Sequence, residues 1–263
     1  QLIDVLHIEY IFPAYDDVIV KLAKHREEIS AKILAPGIEV CEILRSKSRT
    51  YHFFKGLIQV PHVFDNIESI HHFPVFLKPD RGQGSAGIEI IQDKLQLERM
   101  GIPSKEKIIT EFLPGEEYTI DCFSDRERGL LFSSARERRR VRNGISVNTQ
   151  VTQLVGIEEI AKTISDALAM RGAWFFQVKR ASDGRLTLLE IAPRIAGSMA
   201  LNRVYGINFP LLTIFEEERC DLAILKNDVN ISLDRALVNR YKHNIYFDTL
   251  YIDLDDMIVI RGK

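Results

Sequence analysis

Apolar residues recur along this chain at two spacings, and each change of spacing marks a boundary between elements. At Ile157, Ile160, Ala161, Ile164, Ala167 and Leu168 they fall every three or four positions, which predicts a helix with one apolar stripe. The pattern then switches to strand-like runs over residues 173–180 and 185–192, on either side of Asp183-Gly184. Residues 130–151 are also strand-like. Between 73 and 123, strands alternate with Gly and Pro turns, and a helix is expected near 94–100. Residues 47–55 read as a helix, with Pro61-His-Val-Phe leading out of it, and residues 199–225 read as helical. Residues 1–35 give a thin strand at 5–12 and an amphipathic helix through Val18, Leu22 and Ala23. They start in mid-pattern without an initiator methionine, so an upstream portion is expected.

Asp183-Gly184 between two apolar runs signals a two-residue hairpin loop. If these are the central residues, Ser182 pairs with Arg185 and paired residue numbers sum to 367, which sets Gln177 opposite Glu190. Cross-strand partners share a face, so an amide oxygen and a carboxylate would converge on one point, as a hard cation such as magnesium requires. Ala192 and Arg194 fall on the same face as Glu190. The competing reading is a surface hairpin with scattered polar residues.

A second hairpin is written in Phe73-Pro-Val-Phe-Leu-Lys78-Pro-Asp-Arg-Gly82-Gln-Gly84-Ser-Ala-Gly87-Ile-Glu-Ile-Ile91. The glycines satisfy G-x-G-x-x-G, but a dinucleotide fingerprint needs a helix after them and the residues that follow are strand-like. A strand-loop-strand glycine flap lets backbone N–H groups approach phosphates, with Lys78 reaching them as a point charge. An ordinary glycine hairpin is the bland alternative. In Ala135-Arg136-Glu-Arg138-Arg-Arg140-Val-Arg142, period two puts four arginines on one face, either to neutralise phosphate or substrate carboxylate or as a solvated edge strand. The strand Ile108-Ile-Thr-Glu111-Phe112-Leu113-Pro-Gly-Glu-Glu117 can present backbone groups to an adenine edge, with Glu117 accepting ribose hydroxyls.

Composition narrows these options. The chain of 263 residues is 46% hydrophobic and 27% charged, an ordinary globular mix with enough apolar content for a real core. A formal net charge of -2 gives no general pull toward nucleic acid or anionic membrane, so neither is expected as a partner. No apolar run approaches the ~20 residues that cross a bilayer. Cys41, Cys122 and Cys220 are too few and too scattered for a disulfide framework or a zinc site, which fits a reducing cytoplasm.

Together these segments resemble the ATP-grasp superfamily, in its carbamoyl-phosphate-synthase-like branch. The resemblance runs from about Val5 to Ile214. It passes through Ser46-Lys47-Ser-Arg-Thr-Tyr, the Lys78 glycine loop, Glu111 to Asp121, Arg136-Glu-Arg138, Glu190-Ile-Ala-Pro-Arg194-Ile-Ala-Gly-Ser198 and Tyr205-Gly-Ile-Asn208-Phe-Pro. It implies an α+β ATP-grasp fold of two subdomains gripping ATP, with ATP and Mg2+ as cofactors. Lys47 and Lys78 would contact the nucleotide, Gly82, Gly84, Ser85 and Gly87 would close over its phosphates, and Glu111, Phe112, Leu113 and Glu117 would hold the nucleoside. Gln177 and Glu190 would bind the metal, with Arg194, Arg136 and Arg138 as the catalytic set. The implied activity is an ATP-dependent carboxylate-amine or carboxylate-thiol ligase that forms an acyl phosphate and releases ADP and phosphate, with C–N bond formation preferred. Its partners would be a small carboxylate and an amine, in a protein that could pair as a homodimer. The alternative is a nucleotide-binding module with weak or no catalysis, serving a fused phosphohydrolase-type domain.

Two residues depart from the family pattern: Ala192 stands where Asn is usual, and Ser46 where Asp is usual. Residues 1–40 look like a remnant of a pre-ATP-grasp domain, 41–235 like the ATP-grasp domain, and 236–263 like a linker and the start of another domain. In that last stretch, Asp253-Leu-Asp255 resembles the first motif of haloacid-dehalogenase-type phosphohydrolases.

Overall fold

The computed structural model describes residues 2–82, 86–100, 104, 106–142, 145–227, 229, 231–235, 249–253 and 257–261, with backbone alone for residues 145, 249–253 and 257–261. The N-terminal elements are α1 (Leu2–Val5), β1 (Tyr10–Ile11), α2 (Asp16–Lys24), β2 (Lys32–Ile33), α3 (Ile38–Arg45) and α4 (Lys47–Phe54). A smaller sheet follows, made of β3 (Val63–Phe64), β4 (Val75–Pro79), β5 (Glu89–Ile91) and β6 (Lys107–Glu111), with α5 (Lys94–Met100) packed on it. Next come β7 (Glu117–Asp125), β8 (Gly129–Arg142), β9 (Ile145–Val151), α6 (Ile157–Leu168), β10 (Gly172–Arg180) and β11 (Leu186–Ala192). A 3-10 segment (Gly197–Arg203), α7 (Phe209–Glu217), β12 (Ser232–Asp234) and the hairpin β13 (Thr249–Asp253) and β14 (Met257–Arg261) complete the described elements.

Two antiparallel sheets organise the molecule. The smaller has the order β3-β6-β4-β5 and the larger β11-β10-β7-β8-β9-β12. Side-chain alternation divides the work of the larger sheet. Trp174, Phe176 and Val178 of β10, with Ile120 and Cys122 of β7, pack against Ile157, Ala161, Ile164 and Leu168 of α6. On the opposite face, Ala173 and Phe175 meet Met199, Tyr205 and Phe209 from the 3-10 segment and α7. Further along that second face the residues turn polar, Gln177 and then Lys179, and there the larger sheet meets the end of the smaller one across a cleft. The core ends where the site begins.

Several expectations change. Of the α6 stripe, Ala167 is exposed and Ile160 only half-buried, because the helix turns them away from the sheet. Residues 2–5 are helical, and the expected strand at 5–12 shrinks to Tyr10–Ile11, the pair that finds a parallel partner in Lys32–Ile33. The helical reading of 199–225 breaks at Gly206, whose φ of +89° suits a residue without a Cβ, and α7 restarts with Pro210 in its first turn and stops at Glu217. Helix α3 lacked any expectation, whereas α4 and α5 lie where the pattern put them.

Candidate active site

The cleft is built from strand ends. On β4, Val75 and Leu77 point into the core of the smaller sheet, so Phe76 and Lys78 face the cleft. Lys78 is only 5% exposed. Its ammonium donates to Tyr51 Oη at 2.9 Å and lies 5.0 Å from the Tyr51 ring centre and 5.6 Å from that of Phe76. Tyr51 in turn donates to the Leu189 carbonyl at 2.7 Å. Burial, reinforced by the charge of nearby Lys47, pushes the Lys78 pKa down to about 7, against the pull of Glu190 and Asp80. Lys47 starts α4 and donates to the Gly82 carbonyl at 3.1 Å, and burial lowers its pKa as well.

Ser46 caps α4 and donates to Asp80 Oδ2 at 2.6 Å, while Asp80 Oδ1 accepts the Ser48 N–H at 2.7 Å. Asp80, just before the glycine loop, thus sets a carboxylate beside Ser46 at the start of α4. Burial raises the Asp80 pKa, but hydrogen bonds from Ser46 and Ser48 and the charge of Lys47 outweigh it, and the net shift is downward. Gly82 lines the cleft, and Gly87 has a φ of +71°, with Pro79 3.1 Å from where its Cβ would stand. Gly84 and Ser85 lie outside the described residues.

Gln177 pairs with Glu190 as expected, by a different route. The loop has three residues, Ser182, Asp183 and Gly184, because Ala181 N–H donates to the Arg185 carbonyl; Gly184 takes a φ of +85°. That puts Val178 opposite Leu188 and Arg180 opposite Leu186. A bulge at Leu189 then restores the pairing of Gln177 with Glu190, and its carbonyl is the one that Tyr51 holds. Burial raises the Glu190 pKa, opposed mainly by Lys47. Both residues line the cleft with Lys179 and Leu189. Ala192 instead packs in the apolar cluster with Phe175 and Met199.

The four arginines separate, which corrects the even row. Arg136 is 2% exposed and forms a two-point ion pair with Asp121 at 2.9 and 3.1 Å, and Asn202 also donates to Asp121 at 2.8 Å. It is structural and does not line the cleft. Arg138 does, paired with Glu117, so Glu117 meets any ribose already engaged. Arg140 reaches Asp234 in solvent and Arg142 is exposed, because register shifts after Arg138 turn the strand. Arg194 donates to Asp16 at 2.5 Å and stacks 5.2 Å from the Phe175 ring centre; it lines a separate cavity and not the cleft. Glu111, Phe112 and Leu113 line the cleft at the end of β6, and Glu111 also accepts the His62 N–H at 2.8 Å. Asp253 is described only as backbone at the end of β13, and Asp255 lies outside the described residues.

Sequence reasoning missed Tyr51, Asp80 and Lys179. Period two would have found Lys179, two residues beyond Gln177. Tyr51 sits four residues after Lys47 on α4, a spacing that shares a helix face. Among the described residues, no group of three His, Cys, Asp or Glu side chains could hold a metal, so a cation here needs oxygens from a second ligand. No described helix is long and apolar enough to cross a membrane.

Solved structures of known proteins share this fold. The biotin carboxylase domain of 2-oxoglutarate carboxylase from Hydrogenobacter thermophilus, solved with MgADP, ADP and bicarbonate, superposes with a TM-score of 0.74 at 16% identity, over 89% of this chain and 60% of that one. The fold is ATP-grasp. N5-carboxyaminoimidazole ribonucleotide synthetase from Thermotoga maritima (TM-score 0.63, 19% identity, 82% of this chain, 59% of that chain) and L-amino acid ligase from Bacillus licheniformis (0.59, 18%, 76%, 53%) share it. The chain therefore spans little more than half the length of these proteins. Residues 104–231 match a family model described as ATP-grasp in the biosynthetic pathway with Ter operon. No curated protein sequence matches the chain.

Proposed function

We propose that this chain is an ATP-dependent ligase of the carbamoyl-phosphate-synthase-like kind, joining a carboxylate to an amine through an acyl phosphate. The observation that carries this reading is the convergence of Lys47, Lys78, Gln177 and Glu190 on one cleft that Gly82 and Ala86 also line. Two cations there suit nucleotide phosphates, and the apolar side formed by Phe76, Phe112 and Leu113 suits an adenine ring. Gln177 and Glu190 fit one magnesium ion that takes its other oxygens from phosphate and water, and they do not fit a second. When bound, magnesium offsets charge on the phosphates.

The chemistry asks this chain for positioning more than covalent help. A carboxylate oxygen attacks the γ-phosphorus as the bond to the ADP oxygen breaks. The amine nitrogen then attacks the acyl carbon, phosphate leaves and the nitrogen gives up one proton. Lys47 and Lys78 hold the phosphates in line, and Arg138 stands beside them, its charge partly answered by Glu117. The residues that perform this work fall within 41–235. The apolar packing of Ala192 favours a second reading, a nucleotide-binding module with weak catalysis. Carboxylate-dependent ADP release in the presence of an amine separates the two: its appearance supports the ligase, and ATP binding without it supports the module.

A further inference from the structure

A second cavity of about 80 Å³, which shares no lining residue with the cleft, lies between the N-terminal strands and the start of α7. Its lining carries two charged side chains, Arg194 and Arg203, and, among the described residues, no carboxylate. Arg194 is 18% exposed and its Nε is held by Asp16, which leaves the two terminal nitrogens of its fork without a described protein partner. The positive end of α7, a helix of nine residues capped by Asn208, opens onto the same space. Cation and dipole together call for an anion, and a planar fork with two unengaged nitrogens suits a carboxylate.

The rest of the wall selects what the carboxylate is attached to. Met199, Ile207 and Phe209 form one side, and Phe12 and Leu34 the other. Two polar groups of the wall are engaged elsewhere: Thr213 accepts the Ala173 N–H at 3.1 Å and donates to the Phe209 carbonyl at 2.8 Å, and the side-chain oxygen of Asn208 accepts the Leu211 N–H at 3.3 Å. A hydroxylated tail against Met199, Ile207 and Phe209 would therefore lose its water without replacement, which disfavours it by about tenfold or more. A buried apolar cavity of about 150 Å³ accommodates benzene, so this smaller one suits a tail of a few carbons.

We propose that this cavity takes a small apolar monocarboxylate, with its carboxylate on Arg194 and its tail against Met199, Ile207 and Phe209. This rests on the ligase reading for the fate of the carboxylate, with Arg194 four residues after Glu190 along the chain. The site itself stands on its own geometry.

The test is calorimetric titration of the whole chain, without nucleotide, with 3-methylbutanoate and with glycolate, beside a separate titration with Mg-ATP. The apolar acid is expected to bind at least about tenfold more tightly than glycolate. Ala200→Phe, which fills the cavity, is expected to abolish acid binding and leave Mg-ATP affinity unchanged, and Arg194→Gln to weaken acid binding about tenfold or more. If Ala200→Phe does not fold, Arg194→Gln alone decides. Equal affinity for the two acids, or binding indifferent to these substitutions, overturns the proposal. Acid binding without Mg-ATP binding overturns the ligase reading and leaves the cavity assignment standing, whereas the reverse overturns the cavity assignment alone.

Discussion

Lys78 makes the nucleotide reading quantitative. Its pKa in the free protein is about 7, against 10.5 for an ordinary lysine. At pH 8 the free protein therefore carries a proton on about one-tenth of its Lys78 side chains. A phosphate anion beside it restores the charged form, so Mg-ATP binding at pH 8 is expected to take up close to one proton. The terminal phosphate, with a second pKa of about 6, is already ionised and adds little. Because the complex holds more protons than the free protein, affinity falls as pH rises above about 7, at most about tenfold per unit. Folding follows the same logic: the unfolded chain keeps this proton up to about pH 10.5, so burial of Lys78 costs stability fully below pH 7 and the cost fades between pH 7 and 10.5. The assay is calorimetry in buffers of different ionisation enthalpy at pH 8, on the parent and on Lys78→Met. Uptake near zero in the parent, or equal uptake in both proteins, refutes the reasoning.

Glu190→Gln is expected to remove most of the magnesium dependence of nucleotide binding, and Ala192→Asn to strengthen it, both read from magnesium titrations of ATP affinity. Tyr51→Phe leaves the Leu189 bulge carbonyl and the Lys78 ammonium without the hydroxyl they share, and should cost about 1–3 kcal/mol in urea denaturation with an unchanged slope. Arg136→Met strands the buried Asp121 carboxylate and should cost about 3–5 kcal/mol. Arg140→Ala on the same strand should stay within about 0.5 kcal/mol, because its partner is in solvent. Similar losses for both arginines would contradict the division of that strand.

The pairing of Gln177 with Glu190 was legible because side-chain alternation fixes the face that each residue occupies. Its derivation nevertheless contained two deviations that cancel: a loop one residue longer than Asp-Gly suggests, and a bulge at Leu189 that shifts the strand back. Local propensity shows neither, since the bulge carbonyl is satisfied by Tyr51 from a distant helix. The hydrogen bond between Ser46 and Asp80 was hidden for the same reason, as only tertiary contact brings the two positions together. The arginine row failed because period two holds only while the pairing is regular, and the register shifts after Arg138 break it. Arg136 was also claimed by Asp121, a partner that alternation alone does not reveal. At the N-terminus, apolar residues such as Val5 and Leu6 resembled a strand but are 72% and 58% exposed, and among the described residues only Tyr10 and Ile11 of that stretch pair with another strand.

The central claim is that a nucleotide lies in the cleft between the two sheets, phosphates on Lys47 and Lys78 and adenine against the end of β6. A crystal structure of the chain with magnesium and a non-hydrolysable ATP analogue tests it most directly. The account predicts density for the adenine beside Phe112 and Leu113, and one metal ion between the phosphates and the Gln177–Glu190 pair. Nucleotide bound elsewhere on the molecule, or phosphates turned away from Lys78 and Glu190, would contradict it.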